Sequence, residues 1–139
     1  MTRTAAPART HGFTLLELLV VVAIIGLLAA YVGPKYFAQV AKSEQTVAKT
    51  QIQAFARALG TYRLDVGNFP TTEEGLNALV VKPPGAEKWN GPYLDKTVPN
   101  DPWGRPYLYR ATDDDFEVMS YGKDGQPGGT GENADLGNW

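Results

Sequence analysis

Two groups of residues in this 139-residue chain have the types and spacing that chemistry needs. The first is Gly12-Phe13-Thr14-Leu15-Leu16-Glu17: a glycine that a peptidase can cut behind, an aromatic residue that would then carry a free amine, and a lone carboxylate a helical turn further on. The second is the tail from Gly122 to Trp139, in which Asp124, Thr130, Glu132, Asn133 and Asp135 are threaded between glycines at 122, 125, 128, 129, 131 and 137. Oxygen side chains on tight glycine turns suit Ca2+, which takes roughly six to eight oxygens at about 2.3–2.6 Å and tolerates no steric obstruction between them. The spacing is not that of an EF-hand, because oxygen side chains do not stand at both the second and the fourth positions after Asp124 and no glutamate falls at the twelfth. The plain alternative is a solvated glycine loop, poorly ordered when alone.

Nothing else in the chain assembles into a catalyst. The single histidine, His11, precedes the apolar segment, there is no cysteine, and Ser43 and Ser120 have no evident base. A nucleophile with its general base therefore cannot be put together. Glu73 and Glu74 are consecutive at a helix start, where negative charge suits the helix dipole better than catalysis. Trp89, Tyr93, Trp103 and Tyr107 have the chemistry to hold a sugar or peptide, although packing is the commoner use of such residues. The net charge of −2 and the acidic run Asp113-Asp114-Asp115, with no basic stripe, argue against nucleic acid as a partner. With no disulfide available, a small domain here must be held by its helix, its core or an ion.

The elements that would position the first group begin with an apolar run. From Phe13 to Gly33 only Glu17 is charged, and a helix over that span rises roughly 30 Å, the thickness of a bilayer's hydrocarbon core. Residues 13–33 are thus expected to enter a membrane, and residues 1–12, with Arg3, Arg9, His11 and no acid, to act as an orienting cytoplasmic leader. Here the cut site precedes the apolar run, so cleavage after Gly12 leaves the anchor attached to the protein. It also removes Arg3 and Arg9, taking the side-chain net charge from −2 to about −4.

Glu17 inside this segment costs several kcal/mol unless it is protonated or paired. No Lys or Arg lies between Phe13 and Gly33, so the available cation is the amine that cleavage would expose on Phe13. Between neighbouring helices such a buried pair would set axial register, since a slip would strand both charges in apolar surroundings. The alternative is a glutamate that reaches the headgroup level and does no more.

Past Gly33-Pro34 the chain turns amphipathic: Phe37, Val40, Val47, Ile52, Phe55, Leu59, Tyr62 and Val66 recur at helical spacing until Gly67-Asn68-Phe69-Pro70. One helix over about residues 13–66 is expected, with Pro34 kinking or locally melting it; a harmless kink is the simpler outcome. Thr71 and Glu74 form a capping box opening a short helix to about Val80. Residues 89–104 are broken by proline and read as an ordered loop. Residues 107–111 and 116–121 alternate around Thr112–Asp115 as an antiparallel hairpin, expected to lie across the helix stripe near Leu94 and Val98. Trp139 is free to pack back onto the domain.

Leader, glycine, Phe13, Glu17 and apolar run in this register closely resemble the type III signal of type IV pilins and pseudopilins. Pro92-Tyr93-Leu94, the run Asp101 to Tyr107, Ser120 to Gly125 and Ala134 to Trp139 resemble more narrowly the major pseudopilins of type II secretion systems, the general secretion pathway protein G family. The likeness covers nearly the whole chain. It implies an α+β, type IV pilin-like fold: a long N-terminal helix, half membrane and half amphipathic, packed on a small antiparallel sheet with a C-terminal calcium loop. It implies three parts: 1–12 removed on maturation, 13–33 for membrane and polymerisation, 34–139 as the periplasmic domain. Prepilin peptidase would cut after Gly12 and Phe13 would be N-methylated. Calcium would be held by Asp124, Asp135 and the Tyr121 carbonyl; Ala134 stands where several relatives carry a second aspartate, which leaves Glu132 and Thr130 as further candidates.

The implied role is structural: a subunit that polymerises into a periplasmic pseudopilus and helps drive folded proteins across the outer membrane. Partners would be copies of itself, minor pseudopilins, prepilin peptidase, the inner-membrane assembly platform and the outer-membrane secretin. Its location would be the bacterial inner membrane, single-pass, with the C-terminal domain in the periplasm. In this family a proline at the place of Pro34 goes with a helix that is continuous in the free subunit and partly unwound in the fibre. The runner-up is the subunit of a surface type IV pilus, disfavoured by the lack of a C-terminal cysteine pair.

Overall fold

The computed structural model describes residues 11–139. Arg3 and Arg9 of the expected leader lie outside them. Two compact units divide between Ala38 and Gln39, a little past the boundary expected at Pro34.

The dominant element is helix α1, Leu15–Val66, 52 residues long. It begins at Leu15 rather than Phe13 because Thr14 and Glu17 close a capping box: the Thr14 N–H donates to Glu17 Oε2 at 2.8 Å and the Glu17 N–H to Thr14 Oγ1 at 3.2 Å. Two of the helix's orphan donors are satisfied this way. In the first unit the large apolar side chains from Leu15 to Val32 are exposed, and the helix is long and apolar enough to cross a membrane, with a mean hydropathy of 2.7 over an 18-residue stretch. Pro34 sits inside α1 without interrupting it, so the local melting expected there is absent from this free subunit. The missing N–H is tolerated beside an i,i+4 staple across the same turn, in which Lys35 Nζ donates to the Tyr31 hydroxyl at 3.1 Å and lies 4.6 Å from its ring centroid.

In the second unit α1 ends where Gly67, at φ +100°, donates to the Arg63 carbonyl at 2.8 Å. Ala48, Ile52, Phe55, Leu59 and Tyr62 face the core, spaced four, three, four and three apart, and meet Phe69, Leu76, Leu79, Tyr107, Val118 and Leu136. The lower stripe is corrected. Phe37 is 71% and Val47 45% exposed, and the inward positions are Ala41 and Ala48.

The Thr71–Glu74 box forms as expected, with bonds of 2.8 and 3.2 Å. The helix it introduces is a single 3-10 segment, η1, Gly75–Leu79. The hairpin consists of β1, Leu108–Ala111, and β2, Phe116–Ser120, antiparallel with Leu108 opposite Met119 and Ala111 opposite Phe116. Leu94 and Val98 pack against the same core. A third strand, β3, Leu136–Gly137, was not foreseen; it pairs antiparallel with β2, placing Leu136 opposite Ser120. The tail therefore leaves the sheet after Ser120 and returns to it, so residues 121–135 form a closed loop rather than a free end. Asn138 prolongs the pairing by its side chain, accepting from the Val118 N–H at 2.8 Å and donating to the Phe116 carbonyl at 3.1 Å.

Candidate functional site

At the N-terminal site, Gly12 and Phe13 are exposed and precede the helix, so the Gly12–Phe13 peptide bond lies in open chain. Phe13 N is still an amide here, and the Glu17 carboxylate serves its own helix through Thr14. The Thr14-x-x-Glu17 spacing is the sequence signal for this capping box.

The C-terminal loop brings its acids to distinct duties. Asp124 Oδ1 accepts from the Gln126 N–H at 3.1 Å, and Asp135 Oδ2 from the Gly128 N–H at 2.8 Å. Asp135 Oδ1 is buried and has no hydrogen-bond partner among the described residues. A buried carboxylate oxygen without a donor is costly and fits a cation. Glu132 instead turns to Lys123, with Oε2 2.6 Å from Nζ, and that hydrogen bond and charge raise the Lys123 pKa. Thr130 precedes a short 3-10 turn, Gly131–Asn133, without capping it. Among the described residues no three His, Cys, Asp or Glu side chains cluster, so a hard cation here would draw on carbonyls as well as on Asp124 and Asp135. Tyr121 directly follows β2 at the point where the loop departs. Glycine is required where the loop crosses itself, since a Cβ on Gly129 would meet the Asn133 carbonyl oxygen at 2.5 Å.

What holds this loop was not apparent beforehand. Asp101, only 5% exposed, accepts from the backbone N–H groups of Trp103 at 3.1 Å and Arg105 at 2.8 Å, and from the Ser120 hydroxyl at 2.6 Å. Arg105 in turn donates to the carbonyls of Gly122 and Lys123, both at 2.9 Å. On the other side Gln45 of α1 donates to the Gly131 carbonyl at 2.6 Å, while Glu44 accepts from Trp103 Nε1 at 3.1 Å. Asp101 and Arg105 stood in a recognised run of residues, but without a role; an Asp followed by a turn glycine was the only local signal.

The aromatic residues are engaged in packing. Tyr107 lies edge-on to Phe55 at 5.1 Å, and Tyr93 contacts both Tyr62 at 5.6 Å and Trp89 at 5.7 Å. Their polar ends are satisfied internally: the Tyr107 hydroxyl on Gln51, Tyr93 on Asp65 and Trp89 Nε1 on the Ala78 carbonyl. Trp139 does not join them; its ring lies over Gly137 and it is 72% exposed.

Residues 35–139 match the family described as type II secretion system (T2SS), protein G, and residues 7–33 match the prokaryotic N-terminal methylation motif. The chain is 47% identical to type II secretion system core protein G of Pseudomonas aeruginosa over 92% of its length and 94% of that protein's. It is equally similar, at 47%, to the core protein G of Vibrio cholerae, over 92% of this chain and 90% of the other. Among solved structures it resembles the major pseudopilin from the type 2 secretion system of enterohaemorrhagic Escherichia coli, with a TM-score of 0.58 and 36% identity over 70% of this chain and 88% of that one.

Proposed function

This chain belongs to the type II secretion system protein G family, and from that membership we propose how it is matured, anchored and steadied. It is a structural pseudopilin subunit of the periplasmic pseudopilus and not an enzyme. The observation that carries this is the pairing of a domain match over residues 35–139 with a methylation motif over 7–33.

Maturation removes residues 1–12 through prepilin peptidase, leaving a methylated amine on Phe13. Residues 13–33 hold the subunit in the inner membrane, with residues 34–139 in the periplasm, until it is drawn into a homopolymer. Minor pseudopilins, the inner-membrane assembly platform and the outer-membrane secretin complete its partners. Once the amine is free, Glu17 has a cation to pair with in the next subunit, and their shared burial sets axial register. Pro34 lacks one helical donor and so marks the turn at which α1 yields most easily in a fibre.

Asp124, Asp135 and the Tyr121 carbonyl are the residues that would hold Ca2+, and the orphaned Asp135 Oδ1 supports this. A bound Ca2+ would supply a positive charge that neither carboxylate receives from a salt bridge among the described residues. Glu132 contributes to the same loop through Lys123. The test is electron microscopy of fibres formed on overexpression, with and without chelator, together with a secretion assay in a strain lacking the subunit. Short periplasmic-type fibres that shorten or vanish with chelator are expected. Normal secretion without the protein would refute the role.

A further inference from the structure

The C-terminal loop is gripped at its start by a side chain from another part of the chain. Arg105 donates from one terminal nitrogen to the Gly122 carbonyl and from the other to the Lys123 carbonyl, each at 2.9 Å. A guanidinium suits this task because its donors lie in one rigid plane and can span two successive carbonyls. The loop then folds over that plane: a Cβ on Gly125 would come within 2.7 Å of Arg105 Cζ and Nε. Gly125 also has φ +66°, which an L side chain rarely adopts.

Arg105 is itself held from behind. Asp101 Oδ1 accepts its N–H at 2.8 Å, and its carbonyl accepts the Asp101 N–H at 2.7 Å. Asp101 Oδ2 meanwhile takes the Ser120 hydroxyl, and the Gly122 N–H donates to Ser120 Oγ at 3.3 Å. Tyr121 thus stands between two tethered residues, and Asp124 directly follows a third. Restricting the backbone on both sides of Tyr121 and just before Asp124 removes part of the ordering cost that ligand binding would otherwise meet.

We propose that Arg105 is a positioning residue for the ion loop: without touching the ion, it holds the 121–124 backbone in its binding shape before the ion arrives. This rests on the calcium reading above and extends it from the ligands to the residue that aims them. The carbonyls of Gly122 and Lys123 belong to Arg105, and the ion is left with Tyr121, Asp124 and Asp135.

The experiment uses the full-length protein in detergent micelles as wild type, Arg105→Gln and Arg105→Lys. CaCl2 is titrated calorimetrically, and amide hydrogen exchange is followed in chelator. Arg105→Gln is expected to bind Ca2+ at least tenfold more weakly. In chelator it should lose protection at the amides of Lys123, Gln126 and Gly128, while Phe55, Leu59 and Tyr62 keep theirs. Arg105→Lys should fall between, because an ammonium has donors but no fixed fork; if the Gln variant does not fold, the Lys variant decides on the same two readings. Unchanged affinity and unchanged loop protection would overturn the proposal, as would a loss of protection spread evenly through α1. A wild type that takes up no Ca2+ overturns the calcium reading and the positioning role together, whereas a wild type and an Arg105→Gln variant that bind equally well overturn the positioning role alone.

Discussion

The Ser120 hydroxyl donates a 2.6 Å hydrogen bond to Asp101 Oδ2, joining the last residue of β2 to the proline-rich turn at 101–106. Both residues are buried, at 1% and 5% exposure, so this bond is shielded from water. It links the sheet to the turn that supplies Arg105, and through Arg105 to the loop that departs from Tyr121. A serine that lacked a base for catalysis has, in the fold, an aspartate for architecture.

Asp101→Ala should therefore be among the more damaging changes in the domain. It strands the N–H groups of Trp103 and Arg105 and the Ser120 hydroxyl, a loss on the order of 3 kcal/mol at about 1 kcal/mol or more for each. Ser120→Ala removes one of these bonds and should cost about 1 kcal/mol. Thermal melting of the full-length protein in detergent checks the order; a Ser120 variant less stable than the Asp101 variant would contradict it.

Glu17→Ala should leave membrane insertion intact or improved, because a charge leaves the apolar segment. The free subunit should lose only the cap on Thr14, about 1 kcal/mol at the end of α1. Fibre assembly should fail. Mass spectrometry of membrane and fibre fractions should find the N-terminal peptide starting at methylated Phe13 in the wild type. Normal fibres from the Glu17 variant, or an intact leader in wild-type fibres, would count against the register contact.

Removing either acidic ligand, by Asp124→Ala or Asp135→Ala, should lower the melting temperature and abolish its response to Ca2+. Each change also strips an acceptor from a loop amide, Asp124 from the Gln126 N–H and Asp135 from the Gly128 N–H, so both variants should lose some stability in chelator as well. At about 100 times its dissociation constant a ligand stabilises the folded state by roughly 2.7 kcal/mol. Wild-type melting curves that coincide with Ca2+ and with chelator would return this segment to a solvated glycine loop.

Stability should be flat with pH through mildly alkaline conditions and fall above about pH 10, the ordinary tyrosine value. Burial raises the pKa of Tyr107, with the Asp101 charge adding to it, and burial likewise raises Tyr109, with smaller contributions from Tyr62 and Glu74. A raised pKa in the folded state means that the folded protein keeps its phenolic protons where the unfolded chain sheds them. The contribution is whole below the unfolded pKa and is lost as pH rises towards the folded one. Tyr109→Phe should make the alkaline decline shallower, while orphaning the Pro70 carbonyl that its hydroxyl now serves at 2.8 Å, for about 1 kcal/mol at neutral pH. Melting temperature against pH for both proteins is the measurement.

Much of this molecule is written in short-range pattern. The apolar run to Gly33, the stop at Gly67, the Thr71–Glu74 box and the alternation that makes the hairpin depend on residues a few positions apart, and each appears where local periodicity places it. The family, too, was legible, because its signal and its tail are fixed runs of residue types.

Other features depended on the packed chain. Val47 and Ala48 are adjacent on one helix, and hydrophobicity favours the valine; Ala48 is the one buried, because it lies four and seven residues before Ile52 and Phe55, on the helix face that meets the core. A two-residue strand at Leu136–Gly137 has too few residues for a period and exists only because β2 offers it an edge. Asp101 with Ser120, Arg105 with Gly122 and Gln45 with Gly131 join residues 19, 17 and 86 positions apart. No local rule links such partners: a side-chain hydrogen bond reaches only about 3 Å, and which groups come within that reach is decided by how helix, turn and sheet close on one core.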